Sequence, residues 1–329
     1  MSPATTTANT ANNGSTMGVK LIGVLPNFHR PEKMAINAKD LYGPHRRVGE
    51  SKPTQCLFLT DDGSLKWVAV NTGVFPGRWS FKDVSHLVFP PFPAGSWNVG
   101  QIRRLKNGEV SFTRTLSMPI EGIDVWHPTR IDFTEFELIG QFMGETQARL
   151  WHVKHPLFKE KPIFVKLAPW GYRWSKVVME NETRVYQRVD GLGIAPVFLG
   201  HVTYRGAVIG FMLEWVEGAK TTERDDKCAR IEVVKKLHAL GITHGSAHRR
   251  NFLKIGGNVI MVDFEASKFD EEATDKRKAE DIRRISHFSG DMLEPADEQD
   301  DDPLLEANRF FDEMADESDV NWTDDSEAE

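Results

Sequence analysis

LHALGITHGSAHRRNFLKIGGNVIMVDFEAS, residues 237–267, is the stretch on which the reading of this chain turns. Its first residues close a helical pattern that begins near Asp226 and stops at Gly241, the residue type expected just past a helix end. Asn258 to Val262 is a short apolar run of strand type, followed at once by Asp263. Between helix and strand lies a polar loop holding His244, Ser246, His248, Arg249, Arg250 and Asn251. Several chemistries compete for it. His244 and His248 have the i, i+4 spacing of a zinc pair, but Gly245 stands where the metalloprotease glutamate belongs. Ser246 sits between two histidines, yet the Gly-x-Ser-x-Gly elbow of a hydrolase is missing. Arg249 and Arg250 suit either a phosphate-rich ligand or a solvated face.

Upstream, strands are expected at Phe136 to Ile139, Ala148 to Val153 and Pro162 to Leu167, then a helix from Ser175 to Val189. Two more strands, Val197 to Thr203 and Ala207 to Glu214, turn at Tyr204-Arg205-Gly206. Lys166 lies in the apolar strand Ile163-Phe164-Val165-Lys166-Leu167, where an ammonium needs a partner. Glu182, sixteen residues on, shares its helix face with Val178, Val185, Tyr186 and Val189. Taken alone the two residues fit a structural ion pair as well as a functional one.

With Asn251 and Asp263 added, the ordered set resembles the protein-kinase-like superfamily, in its small atypical and aminoglycoside-phosphotransferase-like branch. The family loop reads His-x-Asp-x-x-x-x-Asn and is followed by a strand ending in Asp-Phe-Gly or a relative. Here His244 and Asn251 take the first and last loop places, and Asp263-Phe264-Glu265 takes the strand end. The resemblance covers about residues 133–288. It implies an α+β, two-lobed kinase-like fold with a minimal C-terminal lobe, and ATP with Mg²⁺ (or Mn²⁺) as cofactors. Lys166 would then reach the phosphates, Glu182 orient it, and Asn251 and Asp263 hold the metal. His244 would be structural, bonding backbone near the metal-binding strand. Phe211 to Val216, with Glu214, resembles the segment that joins the lobes and pairs with adenine. Gly140 and Gly144 stand where a phosphate-covering loop would be, a thin match that a plain hairpin turn fits equally.

Two departures shape the functional expectation. Ser246 occupies the place of the family's catalytic Asp, and a hydroxyl has no carboxylate to take a proton near neutral pH. Glu265 replaces the usual glycine, and no activation segment follows. The expectation is a nucleotide-binding pseudokinase, catalytically weak or dead, acting as a binding or regulatory module. The alternative is an active atypical phosphotransferase with His248 as a substitute base.

The rest of the chain sets the context. Of 329 residues 40% are hydrophobic, enough for a sizeable core, and two cysteines cannot build a disulfide framework. Residues 1–17 read as a disordered leader without the basic and apolar parts of a secretory signal. Residues 18–130 form an accessory region dense in Pro, Gly and aromatics, with hairpin signals at Asp62-Gly63 and Asn107-Gly108. Its segment Phe75 to Trp97 reads as a loop packing aromatics onto a β-rich core, or else as an aromatic surface for a protein partner. The kinase-like domain is expected at 131–290. Residues 291–329 hold seventeen acids and one base, Arg309, against a net charge of −7 for the chain, so the body is mildly basic. That tail reads as solvated and disordered, or as a segment that docks on a partner or on the body through Phe310, Phe311 and Trp322. No apolar run is long enough to span a bilayer. A soluble intracellular protein is expected, in cytoplasm or nucleus, with a nucleotide ligand and no nucleic acid.

Overall fold

The computed structural model describes residues 18–25, 54–71, 73–75, 87–141, 150–159, 161–168 and 173–286. Residues 1–17, the tail 291–329, Gly144 and the centre of the Phe75–Trp97 segment therefore lie outside the described residues.

The accessory region forms a five-stranded sheet in chain order: β1 (Val19–Leu25), β2 (Thr54–Thr60), β3 (Leu65–Val70), β4 (Val99–Arg104) and β5 (Val110–Leu116). Only β3 and β4 run parallel. Both expected hairpins form. Gly63 (φ 75°) closes β2 to β3 and Gly108 (φ 88°) closes β4 to β5, positive angles that the turns require. Strands β1 and β4, not foreseen from the sequence, carry mixed polar and apolar residues without clean alternation.

A second, six-stranded sheet contains β6 (Arg130–Asp132), β7 (Glu137–Gln141), β8 (Leu150–Lys154), β9 (Ile163–Leu167), β10 (Phe198–Tyr204) and β11 (Ala207–Glu214). Its order is β6-β10-β11-β9-β8-β7, antiparallel except between β6 and β10. Helix α1 (Arg173–Val189) connects β9 to β10. Beyond β11 come β12 (Lys220–Thr221), α2 (Lys227–Ala239), β13 (Ile242–Thr243), β14 (Phe252–Ile255), β15 (Asn258–Met261), β16 (Lys268–Phe269) and α3 (Asp275–Ser286). Strands β12, β14 and β15 make one small sheet, β13 and β16 another. The chain is α+β. Among the described residues, no helix is long and apolar enough to cross a membrane.

The layering follows from side-chain alternation along the strands. On β9, Ile163, Val165 and Leu167 join Trp151, Val153 and Met212 in a core shared with Leu57, Leu65 and Trp67 of the first sheet. The accessory sheet thus covers one face of the second. Across this junction the Leu65 N–H donates to Tyr204 Oη at 2.9 Å, and Arg205 Nη2 donates to Ser64 Oγ at 2.8 Å. The opposite face of the second sheet, with Phe211 and Leu213, packs on Met179, Val185, Tyr186 and Val189 of α1 and on Val233, Val234 and Leu237 of α2. On the far side of the first sheet, Cys56, Phe58, Val68 and Ile102 bury against Phe89 and Trp97. Phe58 meets Phe89 and Phe92 edge-on, with centroids 5.1 and 4.9 Å apart. The described part of the 75–97 segment therefore packs aromatics onto the sheet.

Candidate functional site

Lys166 lies on the helix-facing side of β9, opposite Phe211 of β11 and Leu150 of β8. A Cβ at Gly210 would stand 2.2 Å from the Lys166 carbonyl oxygen, so only glycine lets β11 close on the strand that carries this lysine. The side chain is 6% exposed. Its ammonium lies 2.7 Å from Glu182 Oε2, 2.9 Å from Asp263 Oδ1 and 2.8 Å from Glu265 Oε1. Lys166 and Asp263 are 97 residues apart in sequence.

Glu182 projects from α1 and is fully buried. Burial pushes its carboxyl up to about 7 against the pull of the Lys166 ammonium, and the Glu265 and Asp263 carboxylates push the same way. Its other oxygen accepts the Phe264 N–H at 3.3 Å. The neighbouring Asn181 donates through Nδ2 to the carbonyls of Glu265 (3.3 Å) and Ser267 (2.9 Å), with that of Phe264 at 3.5 Å. One turn of α1 therefore clamps the whole segment after β15. Phe264 is buried against Tyr186 and His244, with centroids 5.1 and 5.2 Å away. Asp263 itself has φ 64°, a left-handed conformation that costs a non-glycine residue and is held by these contacts.

The loop before β14 is built from a second buried carboxylate. Asp281 of α3 accepts the N–H groups of His244 (2.8 Å) and Gly245 (2.9 Å) and lies 2.9 Å from His238 Nε2. Gly245 has φ 73°, and a Cβ there would approach the Ala266 carbonyl to 2.1 Å. Arg284 Nη1 caps the Gly245 carbonyl at 3.0 Å while its Nε donates to Glu280. His244 is buried, and burial pushes its pKa down.

Ser246, His248 and Asn251 fall together. Asn251 Nδ2 donates to the Ser246 carbonyl at 2.9 Å and lies 3.4 Å from His248 Nε2. The Val262 N–H donates to the Asn251 carbonyl at 3.0 Å, which ties this loop to the residue before Asp263. His248 is solvent-exposed, and the surrounding protein first, then the nearby His244, hold its pKa below the usual imidazole range.

Other expected site residues stand apart. Glu214 ends β11 three register positions from Phe211, and its carboxylate accepts the Val197 N–H at 2.9 Å. No described hydrogen bond or ion pair joins it to Lys166, Glu182 or Asp263. Gly140 lies on β7 opposite His152, and Gly144 is outside the described residues. Three contributors were not foreseen: Glu265 as a lysine partner, Asn181 as the clamp and Asp281 as the loop anchor. Only Glu265 and Asn181 had a local cue, standing two residues from Asp263 and one from Glu182.

Glu182, Asp263 and Glu265 offer carboxylate oxygens that all lie within 4.8 Å of one another. Such a hard, all-oxygen set suits Mg²⁺ or Mn²⁺ over softer metals. No family model matches the chain. Over 99 residues, 29% of its length, the chain is 32% identical to the "Probable bifunctional tRNA threonylcarbamoyladenosine biosynthesis protein" of Methanothermobacter thermautotrophicus. That match spans 18% of the relative, so the similarity is to a part of it.

Proposed function

We propose that this chain is a kinase-like protein that binds ATP with Mg²⁺ or Mn²⁺ and acts as a binding or regulatory module with weak or no phosphotransfer. The observation that carries the reading is Lys166 held at once by Glu182 from α1 and by Asp263 from beyond β15. A strand lysine oriented by a helix carboxylate is the arrangement that grips phosphate oxygens in phosphoryl transfer. Asp263 and Asn251 would hold the metal, which when bound neutralises phosphate charge. Lys166 supplies a cation whose stem is buried and which the buried Glu182 orients, so it would face phosphate oxygens without having to be positioned first. Ser246 orients by hydrogen bonding only, and lacks the carboxylate that would take the nucleophile's proton.

An active phosphotransferase is the second reading. It is supported by His248, an exposed imidazole two residues from Ser246, of the residue type that accepts a proton near pH 7.

Thermal melting with ATP and Mg²⁺ tests the proposal. Ligand a hundredfold above its dissociation constant adds about 2.7 kcal/mol. Lys166→Ala and Asp263→Ala should each shrink the shift. No magnesium-dependent shift at millimolar-order ATP in the wild type sinks the reading.

A further inference from the structure

One ammonium, that of Lys166, faces three carboxylates, and the third of them comes from Glu265 at 2.8 Å. Glu182 already orients the lysine from the helix, and Asp263 already reaches it from the segment after β15. Glu265 adds a negative charge where an incoming phosphate oxygen would need the same N–H donors. Its position is not accidental slack, because Asn181 Nδ2 fixes the Glu265 carbonyl and the Ser267 carbonyl beyond it. Glu265 nevertheless keeps 21% of its side chain in solvent and Asp263 45%, against 1% for Glu182, so the two partners from the segment after β15 have room to move and Glu182 does not.

We propose that Glu265 is a built-in competitor for Lys166: its carboxylate pairs with the ammonium, and an anionic ligand engages the lysine only when this pair opens. The inference rests on the nucleotide reading for the identity of the ligand, but the competition itself concerns any phosphate-bearing molecule. Phosphate approaching alone meets excess negative charge. Phosphate accompanied by a divalent cation does not, since the cation offsets the carboxylates that the lysine releases. Wild-type affinity for nucleotide should therefore depend steeply on the cation.

Two measurements on the full chain separate this from the nucleotide reading. The first uses pyridoxal 5′-phosphate, whose phosphate seeks a cation and whose aldehyde condenses with a lysine amine. After borohydride reduction, the labelled fraction at Lys166 is read by peptide mass spectrometry. Glu265→Gln keeps the shape and removes the charge, and should raise Lys166 labelling several-fold, about tenfold if one charge-assisted hydrogen bond is lost. Glu265→Ala should do the same, and a melting curve for each variant confirms that both fold. The second is ATP affinity with and without Mg²⁺. Glu265→Gln should tighten magnesium-free binding about tenfold and narrow the gap between the two conditions. Unchanged or reduced Lys166 labelling in both variants overturns the proposal. Raised labelling with no ATP binding in any variant upholds the competition and removes the nucleotide reading instead.

Discussion

Gly245 and Ser246 are neighbours with opposite kinds of importance. Gly245 is demanded by the backbone: its φ of 73° and the Ala266 carbonyl 2.1 Å from a hypothetical Cβ leave no space for a side chain. Gly245→Ala should cost at least about 1–2 kcal/mol from the left-handed conformation alone, with the steric clash added. Urea unfolding of the variant checks this, and a loss below that range would mean that the loop relaxes freely. Ser246 is instead a question of chemistry. On the proposed kinase-like reading, placing a carboxylate there with Ser246→Asp should raise γ-phosphate transfer by about 10²–10⁴, the usual worth of a positioned general base. A single-turnover assay under matched ATP and Mg²⁺ reads it directly. Unchanged transfer, in a wild type already turning over at the roughly 1–100 s⁻¹ of ordinary kinases, would show that the serine is no handicap.

At the level of elements, α3 holds the loop to the rest of the fold. Glu280 receives both Arg283 (2.6 and 2.8 Å) and Arg284 (2.8 Å), and Arg284 in turn caps the Gly245 carbonyl. The bonds from Arg283 first, and then from Arg284, hold the Glu280 carboxyl down at about 2. A carboxyl lowered in the folded state contributes stability above its ordinary unfolded value, near 4.5, and loses it as pH falls through the folded one. The window is therefore about pH 5 down to about pH 2. A third of the Glu280 side chain faces water, so screening limits the contribution to about 0.5–1 kcal/mol. Glu280→Gln should be less stable than wild type at neutral pH by that amount, and the two should converge near pH 2. Urea midpoints across the window decide it; a constant gap would mean that the arginines gain nothing from the charge.

For the whole molecule, the decisive feature is the core shared by the two large sheets. Trp67, 1% exposed, packs with Trp151, Ile163 and Met212 across the junction. Neither sheet can unfold without exposing the other's apolar face, so residues 54–286 should unfold in one cooperative transition. Trp67→Ala should lower stability by about 3–5 kcal/mol and move the fluorescence and circular-dichroism transitions together. Two separated transitions would show that the accessory sheet is an independent appendage.

Local chemistry was legible from the chain by itself. The helical spacing of Val178, Glu182, Val185 and Val189, the hairpin turns at Gly63 and Gly108, and the stop at Gly241 all rest on short-range backbone and side-chain preferences. A lysine inside an apolar strand needs a partner, and Glu182 of the next helix is named for it through the resemblance to kinase-like proteins, since the two residues taken alone fit a structural ion pair equally. Other features depended on the path of the chain through space. Cys56, Leu57 and Phe58 form an uninterrupted apolar run because both faces of β2 are covered, a pattern that does not say what covers them. Asp281 bears no local mark that distinguishes it from the other charges of α3; it anchors His244 and Gly245 only because the helix packs beneath that loop. Glu265 read as a departure from a motif, and its grip on Lys166 arises only once α1 and the segment after β15 meet. Pairings between distant residues are decided by burial and packing, which no local periodicity records.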